Sequence, residues 1–66
     1  MRGMVKWFSD EKGFGFITPD EGSRDLIVQR NNVQTHEHYL YEGQRVEFDQ
    51  IRGPKGPEAI NVHSAD

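Results

Sequence analysis

Lys6, Trp7, Phe8, Lys12, Phe14 and Phe16 bring four of the chain's seven aromatic residues and two ammonium groups into one short segment. Alternate residues of a strand share a face, so Phe14 and Phe16 point one way while Gly15 and Ile17 point the other. Rings and cations on a common face make a platform on which unpaired bases stack while phosphates lie beside the cations. Gly13 and Gly15 let such a strand lie close to a ligand. Phe8 follows Trp7 directly, so without a bulge it turns to the opposite face and serves the core; a place on the binding face stays open. The bland alternative makes the rings ordinary core and the lysines a solvated face. The density of rings and the interleaved glycines argue against it.

These residues need strands to hold them, and the chain has the matching punctuation. Short runs of alternating apolar residues are separated by turn signals, the pattern of an all-β fold. The first strand is expected over residues 3–9, followed by the turn Asp10, Glu11, Lys12, Gly13. The second covers 14–18 and stops at Pro19, Asp20, Glu21, Gly22. The third covers 25–29, with Leu26 and Val28 on one face and Ile27 and Gln29 on the other. A long connection, 30–43, follows, mostly loop with room for one helical turn. The fourth strand, 44–51, turns Val46 and Phe48 inward. After the turn at 53–57, the fifth, 58–63, turns Ile60 and Val62 inward. Five short antiparallel strands with an uneven third connection suit a small closed barrel, which also hides strand edges.

The chain has 66 residues and no cysteine, so one domain spanning 1–66 must fold without disulfides. Its core is expected from Val5, Ile17, Leu26, Val28, Val46, Phe48, Ile51, Ile60 and Val62, with Val33 and Leu40 adding to it. No apolar run approaches the roughly 20 residues of a membrane span, and no signal-peptide stretch opens the chain. The expectation is a soluble, cytoplasmic protein without membrane contact. A formal charge of −3 is unusual for a nucleic-acid binder. Beyond residue 17 the chain carries nine acids against five bases, so a local positive stripe near the rings must act within an acidic protein. Stacking would then contribute more than charge.

Lys12-Gly13-Phe14-Gly15-Phe16-Ile17, preceded by Gly3-Met4-Val5-Lys6-Trp7-Phe8, resembles the first ribonucleoprotein motif of the bacterial cold-shock proteins and the eukaryotic cold-shock domain. Asp25-Leu26-Ile27-Val28-Gln29 falls where that family has its second motif. The stretches at 42–48 and 56–62 match its later strands. The resemblance implies a five-stranded antiparallel oligonucleotide-binding (OB-fold) barrel that binds single-stranded RNA and DNA. It places Lys6, Trp7, Phe8, Lys12, Phe14 and Phe16 on the binding face, and it makes Lys55 a contact to backbone phosphate.

The chain departs from the family in two places. Ile27, Gln29 and Arg30 stand where the family usually has an aromatic, a histidine and often another aromatic. Ile27 keeps apolar contact without a π-face, Gln29 can hydrogen-bond a base edge, and Arg30 can stack on a base or pair with phosphate. In the long connection, a phenylalanine loop of the family is replaced by Thr35-His36-Glu37-His38-Tyr39-Leu40-Tyr41, where His38 or Tyr39 can supply a ring. His36 and His38 offer only two imidazoles, short of the three or four ligands a metal needs. No metal or cofactor is expected.

Catalytic constellations are absent: Ser9, Ser23 and Ser64 sit in no nucleophile-elbow context, and no phosphate-loop motif occurs. The expected function is a non-enzymatic, monomeric nucleic-acid chaperone of low sequence specificity, with single-stranded RNA and DNA as partners and no small-molecule substrate. The alternative is a barrel turned to protein interaction through its altered second motif.

Overall fold

The computed structural model describes residues 1–22, 24–35 and 38–65; His36, Glu37 and Ser23 lie outside the described residues. Five strands follow one another along the chain: β1 (Arg2–Ser9), β2 (Phe14–Pro19), β3 (Leu26–Gln29), β4 (Arg45–Gly53) and β5 (Gly56–Ser64), with a 3-10 turn at Arg30–Asn32 after β3. They close into a barrel in the order β1-β2-β3-β5-β4, and β1 completes the ring by pairing its first residues with β4, Arg2 opposite Glu47 and Met4 opposite Arg45.

Four of the five seams are antiparallel, as expected, but β3 and β5 run parallel, with Ile27 beside Glu58 and Val28 beside Ala59. The reason is parity. Direction cannot alternate all the way round a closed ring with an odd number of strands, so one seam must be parallel. The long connection after β3 leads to β4, which pairs with β1 and β5 and leaves β3 to pair with β5.

Two bulges bend the strands and set which residues face inward. In β1 the register passes from Val5 opposite Ile17 to Trp7 opposite Phe16, leaving Lys6 as the extra residue. In β5 the extra residue lies between Ile60, which faces Asp49, and His63, which faces Glu47. Asn61 takes up this slack with a left-handed φ of 53°, a conformation asparagine tolerates better than most residues.

The core comprises Val5, Phe8, Ile17, Leu26, Val28, Val33, Leu40, Val46, Phe48, Ala59 and Val62, with Tyr39 packed against it. Two expectations are corrected. The bulge at Asn61 puts Ala59 and Val62, three residues apart, on the inner face, so Ile60 is only half-buried. Ile51 is 43% exposed because its pairing with Glu58 places it on the outer face of the β4–β5 hairpin.

Candidate nucleic-acid interface

The β1 bulge decides the fate of Trp7. Val5 and Phe8 point into the barrel, while Lys6 and Trp7 both point out. On β2, Phe14 and Phe16 flank Gly15 and emerge on the same outer side. The three rings form one cluster. Trp7 lies 6.1 Å from Phe16 with planes 28° apart, and meets Phe14 edge-on at 5.6 Å. Phe14 and Phe16 are themselves edge-on at 6.0 Å. These are favourable aromatic geometries, and they leave ring surface facing outward.

Strand register extends this cluster into a row that crosses the sheet. Trp7 pairs with Phe16, Phe16 with Ile27, Ile27 with Glu58, and Glu58 with Ile51. Beside the row, Phe14 pairs with Gln29. The rewritten Ile27 and Gln29 therefore stand directly next to the intact rings. Ile27 is half-buried and Gln29 exposed.

Phe8 is the correction in this set. It is 8% exposed and packs edge-on against Tyr39 at 5.3 Å, inside the barrel. Gly15 makes room for it. A Cβ at Gly15 would stand 2.1 Å from the Trp7 carbonyl oxygen and 2.6 Å from Phe8 Cα. The glycine thus serves the close approach of β1 to β2, not the approach of a ligand. Gly13 serves the turn, where its φ of 78° suits a residue without Cβ.

The cations are not equally available. The Lys6 ammonium donates to Asp25 at 2.8 Å, and Thr18 donates to the other carboxylate oxygen at 2.9 Å. The Lys6 bond first, and the Thr18 bond second, hold the Asp25 carboxyl below its ordinary pKa. Lys6, Asp25, Trp7 and Phe16 line one shallow groove. Arg30 is also engaged, through Nη2, by the Asp10 carbonyl and carboxylate. Lys12, in the β1–β2 turn, and Lys55, in the β4–β5 turn, are exposed and form no ion pair among the described residues.

His38 lies apart from the row. Its backbone adopts a φ of 52° and its Nδ1 lies 3.0 Å from the Val33 carbonyl oxygen. Asp10, Asp25 and Glu58 were not among the expected site residues, yet each abuts one. For Asp25 the signal was present, since alternation from Ile27 puts it on the outer face. Asp10 required knowledge of how the turn folds over Arg30.

Residues 1–65 match the profile of the 'Cold-shock' DNA-binding domain. The chain is 56% identical over 61 residues to the Cold shock-like protein CspJ of Salmonella typhi, spanning 91% of this chain and 87% of that one. It is 54% identical over 63 residues to Cold shock-like protein CspE of Escherichia coli K12, spanning 94% and 91%. The solved structure of "drosophila Unr CSD456" superposes with a TM-score of 0.82 at 22% identity, covering 98% of this chain and 26% of that longer one. That last likeness concerns the fold alone.

Proposed function

The chain belongs to the cold-shock domain family and is a nucleic-acid-binding protein of that family, and we propose that it holds single-stranded RNA and DNA by stacking unpaired bases on Trp7, Phe14 and Phe16. The observation that carries this reading is the outward-facing cluster of the three rings on β1 and β2. Single strands are the ligand because a duplex hides its base faces, whereas unpaired bases are easily splayed. Ile27 extends the apolar row, Gln29 meets a base edge, Lys6, Lys12, Arg30 and Lys55 supply the polar rim, and His38 offers a further ring from the long connection. Stacking tolerates every base, so sequence preference is weak and the protein acts as a monomeric cytoplasmic chaperone that disfavours RNA secondary structure.

With three or four phosphate contacts, log K falls against log salt with a slope of about −2 to −3. The test is quenching of Trp7 fluorescence by a short oligothymidine, alone and annealed to its complement. The expected result is quenching by the single strand, little by the duplex, and a loss of about 1–3 kcal/mol in Phe14→Ala. No quenching at high micromolar strand overturns the reading, and unchanged affinity in Phe14→Ala overturns the stacking mechanism.

A further inference from the structure

Arg30 carries a guanidinium at the edge of the aromatic face, and that guanidinium already has an anion. The Arg30 amide donates to the Gly13 carbonyl at 2.9 Å, which ties the end of β3 to the β1–β2 turn. The side chain then crosses the turn. Its Nη2 donates to the Asp10 main-chain carbonyl and lies 3.1 Å from the Asp10 carboxylate. Its Nε is buried without a hydrogen-bond partner among the described residues. The preceding residue, Gln29, pairs with Phe14 across the ladder. The ion pair therefore closes near Phe14, over the same turn that carries Lys12.

Asp10 is 70% exposed in this pair and Arg30 43%. A salt bridge so open adds little to stability, so the fold does not require it. Its effect on an approaching polyanion is larger. The carboxylate cancels the guanidinium well within one Debye length, and it shares the Nη2 donor that a phosphate would otherwise take. The guanidinium fork suits a phosphate at least as well as a carboxylate, so the exchange is a near-balanced competition.

Resting on the stacking reading above, we infer that Asp10 is an internal competitor for the nucleic-acid phosphate at Arg30. A strand seated on Phe14 gains the full charge of Arg30, and its Nη2 donor, only by displacing the Asp10 carboxylate. Asp10 thereby limits both affinity and its dependence on salt.

The test measures oligothymidine binding by Trp7 quenching across a salt series in Asp10→Asn, Arg30→Ala, the double variant, and Glu11→Gln. Glu11→Gln makes the same charge change in the same turn, and Phe14→Ala reports on stacking separately. Asp10→Asn is expected to tighten binding about 3- to 10-fold near 0.1 M salt and to steepen the slope by about 0.7, the increment for one further single-strand phosphate contact. Glu11→Gln should change affinity less than about 2-fold. In the Arg30→Ala background the Asp10→Asn gain should vanish. A gain equal to that of Glu11→Gln, a gain that persists without Arg30, or weaker binding in Asp10→Asn each overturns the competition while leaving stacking intact. Loss of quenching in the unaltered protein would instead remove the parent reading, and this one with it.

Discussion

Val5 and Trp7 stand two residues apart in β1, yet Val5 is buried at 1% exposure and Trp7 faces outward at 38%. Regular alternation would put both on one side. Lys6, the extra residue of the bulge, separates them, and so the face that meets solvent gains an indole while the core gains Phe8. A bulge beside a functional side chain re-aims it, and here the residue re-aimed is Trp7.

Deleting Lys6 should therefore leave both faces in place. Trp7 then follows Val5 directly and pairs on with Phe16, so simple alternation keeps the indole outward and Phe8 inward. What is lost is the Lys6 side chain and the local twist that a bulge adds. Lys6→Ala keeps the bulge and removes the same ammonium. Against a total stability of roughly 3–10 kcal/mol for a chain of this length, both variants should retain a cooperative transition. Urea unfolding followed by Trp7 emission compares the two. A deletion protein less stable than Lys6→Ala by about 1–3 kcal/mol, the scale of a repacked core, would contradict the role given to Lys6 as the inserted residue.

Gly15 is the second place where backbone geometry leaves no freedom. The Cβ of an alanine would meet the Trp7 carbonyl oxygen and Phe8 Cα, both main-chain atoms that cannot swing away. The β1–β2 seam must open to admit it. Gly15→Ala is expected to cost about 2–4 kcal/mol, the scale of severe overpacking, and Phe8→Ala about 3–5 kcal/mol from the cavity it leaves. Trp7→Ala, on the outer face, should cost far less stability and far more affinity. Paired measurements of denaturant midpoint and oligothymidine binding distinguish these classes. A Phe8→Ala protein that stays as stable as the parent would contradict the core assignment.

How much of this was legible beforehand follows from where the two-residue period holds. In β2 and β3 no residue is inserted, so the outward Phe14, Phe16, Ile27 and Gln29 and the inward Ile17, Leu26 and Val28 are readable from alternation alone. Val46 and Phe48 at the start of β4 follow the same rule. The period breaks at Lys6 and Asn61. No composition signal marks Lys6 as an insertion, and Asn61 hints at one only through its tolerance of positive φ. Ile60 was misplaced for that reason. Ile51 is different: alternation from Val46 and Phe48 already puts it outward with Glu47 and Asp49, and only its apolar side chain suggested the core. The family resemblance supplied the binding face. It could not supply the internal ion pairs, because Asp10–Arg30 and Lys6–Asp25 join residues about twenty positions apart that only the closed barrel brings together.

The Lys6–Asp25 pair also leaves a mark on pH dependence. The ammonium, then the Thr18 hydroxyl, hold the Asp25 carboxyl below its ordinary value. Glu47 is lowered likewise, first by Arg2 and then by His63. A carboxyl whose folded pKa is depressed contributes stability that is present above its unfolded value and lost as pH falls through the folded one, here on the acid side of the ordinary carboxylate range. Replacing Lys6 by Met removes the largest cause at Asp25 and leaves the Glu47 cluster untouched. The Asp25 titration should then move up toward the ordinary aspartate range. The loss of stability on acidification should become shallower without vanishing, because Glu47 still titrates low. Carbon-detected NMR of the Asp25 carboxyl, with urea unfolding across the acid range, reads both effects. An Asp25 midpoint that stays the same in Lys6→Met would mean that the ammonium does not hold this carboxylate in solution, and Lys6 would then be free to meet phosphate directly.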